Sequence, residues 1–292
     1  MFTGYSSQLI DTGSGRLHVR VGGQGPALLL LHGHPQTHVM WHRVAGTLAQ
    51  RHTVVLIDLP GYGDSWRPPA GAEHVQHSKR RMAAEIATAM QLLGIGRYDV
   101  CAHDRGARVA HRLAMDAPAQ VRRLMLLDIA PTLAMYEATT AEFARAYWHW
   151  FFLIQPAPLP ERLIEQDPVF YLHAVMGRRH GGLAVFDPLA LAEYERCLAV
   201  PGSATSICED YRAAAGIDLV HDRLDLAEGR QLSQPVRVLW GRHGVVARCF
   251  DVLALWRERA PQVSGQALDC GHYIAEEAPA ALLEEMYEFF KE

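Results

Sequence analysis

"VCAHDRGARVAHRLA", residues 100–114, decides how the rest of the chain is read. Residues 98–103 form a short apolar β-rich run, and Asp104 follows it with the small Ala102 two residues before and Gly106 two residues after. A small residue, any residue, a reactive side chain, any residue and a glycine is the pattern of a strand that turns sharply into a helix and exposes the middle side chain at the turn. Serine is expected in the middle; here it is an aspartate. An aspartate can also cap a helix opening at Arg105, but the preceding strand and the flanking "DRGAR" supply a turn context that a lone cap lacks.

Short β-rich runs alternate with helix-like segments on either side of this turn, which predicts a mostly parallel sheet flanked by helices. "RLHVRVGG", "PALLLLHG", "TVVLIDLPGYG" and "YDVCAHD" read as strands before the turn and "VRRLMLLDIAP" after it. "PVRVLWG" and "SGQALDCGHY" resume the strands much later, and "AEEAPAALLEEMYEFFKE" closes the chain as a helix. Residues 134–229 differ in texture: they are rich in aromatics and helix formers and poor in buried β-runs. Because they interrupt strands that must pair, they are expected to fold as a helical cap inserted after the sixth strand. The sheet core is then made of residues 1–133 and 230–292.

The 292 residues are 49% hydrophobic and 21% charged, with a formal net charge of -4, which fits an ordinary globular protein and gives no electrostatic footprint for nucleic acid or an anionic membrane. An anionic ligand would have to be held locally. Five widely spaced cysteines without metal-ligand spacing point to reduced thiols and a cytoplasmic location. The amino terminus lacks a basic region followed by an apolar one, and no apolar run approaches spanning length, so neither export nor a membrane partner is expected. No cofactor signature is present. "LPGYGDS" lacks the lysine of a phosphate loop, and "HGHPQTHV" offers three histidines without an acid or cysteine at helical ligand spacing, so no metal is expected.

A carboxylate held at such a turn is already ionised near neutral pH and is a fair nucleophile at saturated carbon. Two arginines flank it, Arg105 next in sequence and Arg108 one helical turn on. A guanidinium fork suits a carboxylate ligand. Either arginine alone reads equally well as a helix-start residue or the partner of a surface acid; both together beside Asp104 favour a small carboxylate substrate.

The order of "LLLLHGHPQTHVMWHRV", "DLPGYGDS", "HDRGARVAHRLAMDAP", "LLDIAPT", "YWHWFFLIQPAPLPE", "CEDYRAAAGIDLVHD", "VLWGRHGVV" and "GHYIAEEAP" resembles the α/β-hydrolase fold, and within it the fluoroacetate (haloacetate) dehalogenases. The resemblance spans essentially the whole chain. It implies an aspartyl ester formed on Asp104 and hydrolysed by water that a histidine activates. That histidine is His272, just after the final strand, where a satisfied loop histidine is the plainer alternative. The orienting acid is commonly found in a W-G-x-x-D pattern, but "LWGRHGVV" has Gly244 there, so the resemblance moves the role to Asp128 in "LLDIAPT", which could otherwise cap the next turn.

The same likeness assigns Arg105 and Arg108 to the substrate carboxylate and His149, Trp150 and Tyr211 to the halide. On composition alone "YWHWFF" would be a buried aromatic helix face. The backbone amides of His34 and Arg105 are the expected oxyanion donors. Two departures stand out: His34 occupies a place where relatives commonly carry phenylalanine, and "VMGRRHGG", around Gly177, lies near a place where some carry tryptophan. The implied partners are a halogenated small carboxylate and a second copy of the chain. Two alternatives remain open: an epoxide hydrolase, which uses the same aspartate but leaves the paired arginines unexplained, and a non-catalytic relative that binds a small acid.

Overall fold

The computed structural model describes residues 1–291; the last residue of the expected closing segment, Glu292, lies outside the described residues. Eight strands form one sheet in the order β1-β2-β4-β3-β5-β6-β7-β8: β1 Ser6–Asp11, β2 Arg16–Gly22, β3 Ala27–Leu31, β4 Thr53–Ile57, β5 Tyr98–His103, β6 Val121–Leu127, β7 Val236–Gly241 and β8 Val263–Leu268. β2 runs antiparallel to β1 and β4, and the other neighbours are parallel. The apolar "ALLLL" of β3 is buried on both faces because helices cover both sides of a central parallel strand. β1 gave no sequence signal because five of its six residues are exposed.

Five helices matter for the site: α1 Lys79–Leu92, α2 Asp104–Asp116, α3 Trp148–Leu153, α4 Ser203–Ala215 and α5 Pro279–Phe289. The Ser78 side chain caps α1 by accepting from the Arg81 amide at 3.2 Å. α2 packs on α1 and on β5 and β6. Between β3 and β4 lie a 3-10 turn at His38–Trp41 and a short helix at Ala45–Leu48. From Thr132 to Ala227, between β6 and β7, the described residues form helices and connecting loops without a strand.

Register brings the functional segments to one edge. Leu31 pairs with Ala102, Ala102 with Leu126, and Leu127 with Leu239. The residues that follow these strands therefore emerge side by side at the carboxyl ends, where open α/β sheets bind ligands. Among the described residues no helix is long and apolar enough to cross a membrane, and all five cysteines are free.

Candidate active site

Asp104 is the first residue of α2 and has a positive φ of 45°, so the strand ends and the helix begins within one strained residue. Close packing under the turn makes this possible. A Cβ added at Gly106 would stand 2.2 Å from the His32 carbonyl oxygen, and one at Gly33 would stand 2.5 Å from the Asp104 Cβ. The Gly106 amide donates to that same carbonyl at 2.9 Å.

The Asp104 carboxylate is buried, and its Oδ2 accepts the His34 amide at 3.0 Å. Burial alone would raise its pKa; the fields of His272, His103, Arg105 and Arg108 outweigh it and hold the carboxyl below its usual range. The start of α2 adds a favourable dipole. Asp104 is thus an anion ready to react without a base.

His272 Nδ1 donates to Asp128 Oδ2 at 2.6 Å, and Asp128 Oδ1 accepts the Gly241 amide at 3.0 Å. Both residues are buried. With Nδ1 so engaged, Nε2 is the nitrogen left to handle a proton. Asp128 follows β6 with a φ of 50°, and a Cβ on Gly244 would lie 3.4 Å from its Oδ1. An acid projecting from position 244 would crowd the place Asp128 occupies. His103, which sequence reasoning did not single out, donates through Nε2 to the His272 carbonyl at 2.8 Å, and its ring lies 4.6 Å from that of His272. Its place directly before Asp104 was the available signal.

The two arginines behave differently. Arg105 is fully buried and gives its fork to Asp210: Nε to Oδ2 at 2.9 Å and Nη2 to Oδ1 at 2.7 Å. Tyr62 donates to Asp210 at 2.6 Å and Lys79 forms an ion pair with it. Only Arg105 Nη1 is left without a partner. Arg108 donates through Nη1 to Thr132 Oγ1 at 2.8 Å and to the Ala130 carbonyl at 3.2 Å, while its Nε is buried and unpartnered. No carboxylate among the described residues pairs with Arg108, and it stays a cation because a guanidinium does not deprotonate in proteins.

The segment after β6 contributes an aromatic wall. His149 and Trp150 on α3 and Tyr211 on α4 are buried, with ring centres 5.9 Å apart for His149 and Tyr211 and 6.4 Å for Trp150 and Tyr211. Trp150 Nε1 and the Tyr211 hydroxyl are buried donors without partners. Burial pushes the Tyr211 phenol well above its ordinary pKa and the His149 imidazole well below its own, so both are neutral hydrogen-bond donors. His34 stacks on His149, and burial lowers its pKa to about 3.

Histidines 18 and 38 meet Asp58 at 2.8 and 2.9 Å, a cluster compatible with metal ligation. Its lone pairs are already engaged: Arg20 Nε donates to His38 Nε2 at 2.9 Å, and Ser7 Oγ lies 2.9 Å from His18 Nε2. Asp58 also accepts the His38 amide at 2.8 Å, so the cluster fastens the loop after β3.

Comparison with known proteins identifies the fold family and its relatives. Residues 26–279 match the model of the alpha/beta hydrolase fold family. A fluoroacetate dehalogenase from Burkholderia sp is 42% identical over 280 residues, 96% of this chain and 91% of the relative. A soluble epoxide hydrolase from Corynebacterium sp. (strain C12) is 33% identical over 94% of this chain and 93% of its own length. The crystal structure of an alpha/beta hydrolase from Nostoc sp PCC 7120 superposes with a TM-score of 0.97, at 52% identity, over 100% of this chain and 99% of the other.

Proposed function

The chain belongs to the α/β-hydrolase fold family, in its haloacetate dehalogenase branch, and is a hydrolase acting on carbon–halide bonds; from that premise we propose that it converts a 2-haloacetate, fluoroacetate included, to glycolate and halide through an ester on Asp104. One observation carries the reading: an ionised Asp104 lies near Arg108, a buried cation that forms no ion pair among the described residues. A small anionic substrate supplies the missing charge. An epoxide would leave it unmet.

In the first step the Asp104 oxygen not held by His34 attacks the α-carbon in line with the carbon–halogen bond. That bond breaks, its electron pair leaves with the halide, and an ester forms. Arg108 and the open Nη1 of Arg105 hold the substrate carboxylate and offset the repulsion between two anions. Trp150 Nε1, the Tyr211 hydroxyl and a ring N–H of His149 donate to the departing halide, which matters most for strongly hydrated fluoride.

In the second step His272 Nε2 takes a proton from water, whose oxygen adds to the Asp104 carboxyl carbon. Negative charge develops on Oδ2, which the His34 amide already contacts at 3.0 Å. The acyl–oxygen bond then breaks, the proton on His272 passes to the leaving alkoxide, and glycolate departs. Asp104 keeps one oxygen from water, and the proton still on that oxygen passes to solvent, which restores the carboxylate. Asp128 acts as a positioning residue, fixing the His272 tautomer. A cytoplasmic homodimer, with residues 134–229 as the cap, completes the proposal.

The test is halide release from fluoroacetate, chloroacetate and, as a contrast, styrene oxide, together with mass spectrometry of His272→Asn mixed with substrate. A carboxymethyl group is expected on the peptide containing Asp104. Diol from styrene oxide with no halide from either acid would replace the reading with epoxide hydrolysis.

A further inference from the structure

The mouth of the site carries more positive charge than a small monoacid uses. A cavity of about 230 Å³ has His149 and His272 in its wall together with Arg145, Arg178, Arg179 and Arg248, and no carboxylate lines it. Arg248 pairs with Glu142 at 2.7 Å. Arg179 forms no ion pair among the described residues, and its Nη1 is shut off from solvent with no hydrogen-bond partner.

Arg179 also differs from a surface cation in what surrounds it. It follows the Gly177 that ends the helix Pro168–Met176, and its guanidinium carbon lies 4.4 Å above the Tyr147 ring. The Tyr147 ring is 5.3 Å from that of His149 and 6.5 Å from that of His272. Burial works against its charge, but Tyr147, Tyr273, Asp128 and Asp104 together hold it as a cation. The neutral Tyr273 hydroxyl adjoins the guanidinium, but no acid pairs with it, and a buried guanidinium nitrogen without an acceptor is unfavourable, so an anion arriving through the cavity would complete the arrangement. Deeper in, Arg108 lies 4.8 Å from the Trp150 ring centre with its own Nε unpartnered. Two guanidinium groups from different elements, neither in an ion pair with an acid among the described residues, thus border one reaction centre. His34, which stacks on His149, also has a buried Nδ1 without a partner.

We propose that Arg179 is an anion subsite that receives the distal carboxylate of a dicarboxylate, so that the α-halogenated acid favoured by this chain is a diacid of the halobutanedioate type. The carboxylate next to the halogen goes to Arg108 and the other to Arg179, with the bond changes at Asp104 unaltered. This rests on the haloacid reading above and is tested so that the two can fail separately.

Halide release is measured on 2-chlorobutanedioate, 2-chlorobutanoate and chloroacetate for the wild type, Arg179→Leu and Arg179→Lys. Calorimetry in parallel follows the unreactive butanedioate and butanoate. The wild type is expected to favour the chlorinated diacid over the four-carbon monoacid by at least about tenfold in kcat/KM, mainly through KM, with the same preference in binding. Arg179→Leu should collapse both ratios, and Arg179→Lys should restore part of them. Halide from chloroacetate without a diacid preference, or an unchanged ratio in Arg179→Leu, overturns the subsite and leaves the haloacid reading standing. An equal loss on both four-carbon acids that disappears at high salt also overturns it, because Arg179 would then only steer anions. Halide from none of the acids, with butanedioate still preferred in binding, sinks the haloacid reading and supports the subsite.

Discussion

The sheet edge and the helical segment facing it build their halves of the site in contrasting ways. At the edge each reacting group is fixed by the protein: Asp104 by the His34 amide, His272 by Asp128, Asp128 by the Gly241 amide and the His272 carbonyl by His103. Across from it, Trp150 Nε1, the Tyr211 hydroxyl and Arg179 Nη1 are buried donors without partners. On the proposed reading, the reacting groups are held in place beforehand by bonds within the chain, and the helical segment, with the free nitrogens of Arg105 and Arg108 on α2, supplies donors whose acceptor is the ligand. Removing a group should therefore disturb one step on the sheet side and one ligand on the helical side.

The largest expected effect tests the sheet side. Asp128→Asn leaves Asp104 intact, so a burst of about one halide per site should survive. Ester hydrolysis should slow by at least about a hundredfold, because the amide can hold the wrong tautomer of His272. Rapid-quench halide assays separate the two phases, and a normal steady-state rate would show that the edge does not divide the labour in this way.

The next effect sharpens the helical side. Trp150→Phe keeps a ring beneath Arg108 and removes one N–H. A hydrogen bond to a charged group is worth about 1.5–3 kcal/mol, so fluoroacetate turnover should fall by roughly tenfold to a hundredfold. Chloroacetate should lose less, since chloride is a better leaving group and needs less help. Equal losses on the two substrates would make Trp150 a packing residue.

The smallest effect concerns stability and lies outside both halves. Glu276 is fully buried, accepts Tyr194 at 2.6 Å, and burial pushes its pKa from 4.5 to about 7. Because the folded pKa is raised, the folded state binds the extra proton and stability falls as pH climbs from about 4.5 through about 7. The ionised form is therefore the less stable one at higher pH. Glu276→Gln should thus raise the melting temperature at pH 8 and change it little at pH 5. A gain of equal size at both pH values would trace it to packing.

How much could be read in advance follows the same division. The elbow around Asp104 was legible because a strained turn needs small neighbours at fixed short spacing, and the sequence has them at Ala102 and Gly106. Gly244 removed the usual acid and directed attention to Asp128, which the structure joins to His272. The pairing of Arg105 with Asp210 was not legible: the two are far apart in sequence, and nothing local to "DRGAR" shows that its first fork is already engaged. Asp58 was missed as the acid between His18 and His38 for the same reason. Arg179 was not singled out within "VMGRRHGG", which stood out only around Gly177, because its meaning depends on Tyr147 and the cavity that assemble around it.

The Arg105–Asp210 pair also governs traffic. Asp210 immediately precedes Tyr211 on α4, so the bond that engages the fork also rivets α4 to the sheet, with Tyr62 and Lys79 clamped to the same carboxylate. Lifting α4 away would break the bonds from Arg105, Tyr62 and Lys79 to one carboxylate together, so α4 is held as part of the sheet edge. On the proposed reading, acid and halide then share the cavity that Arg145, Arg178, Arg179 and Arg248 line. Every halide ion leaving by that route passes the groups that drew the substrate in, so product retention and substrate capture are set by the same charges.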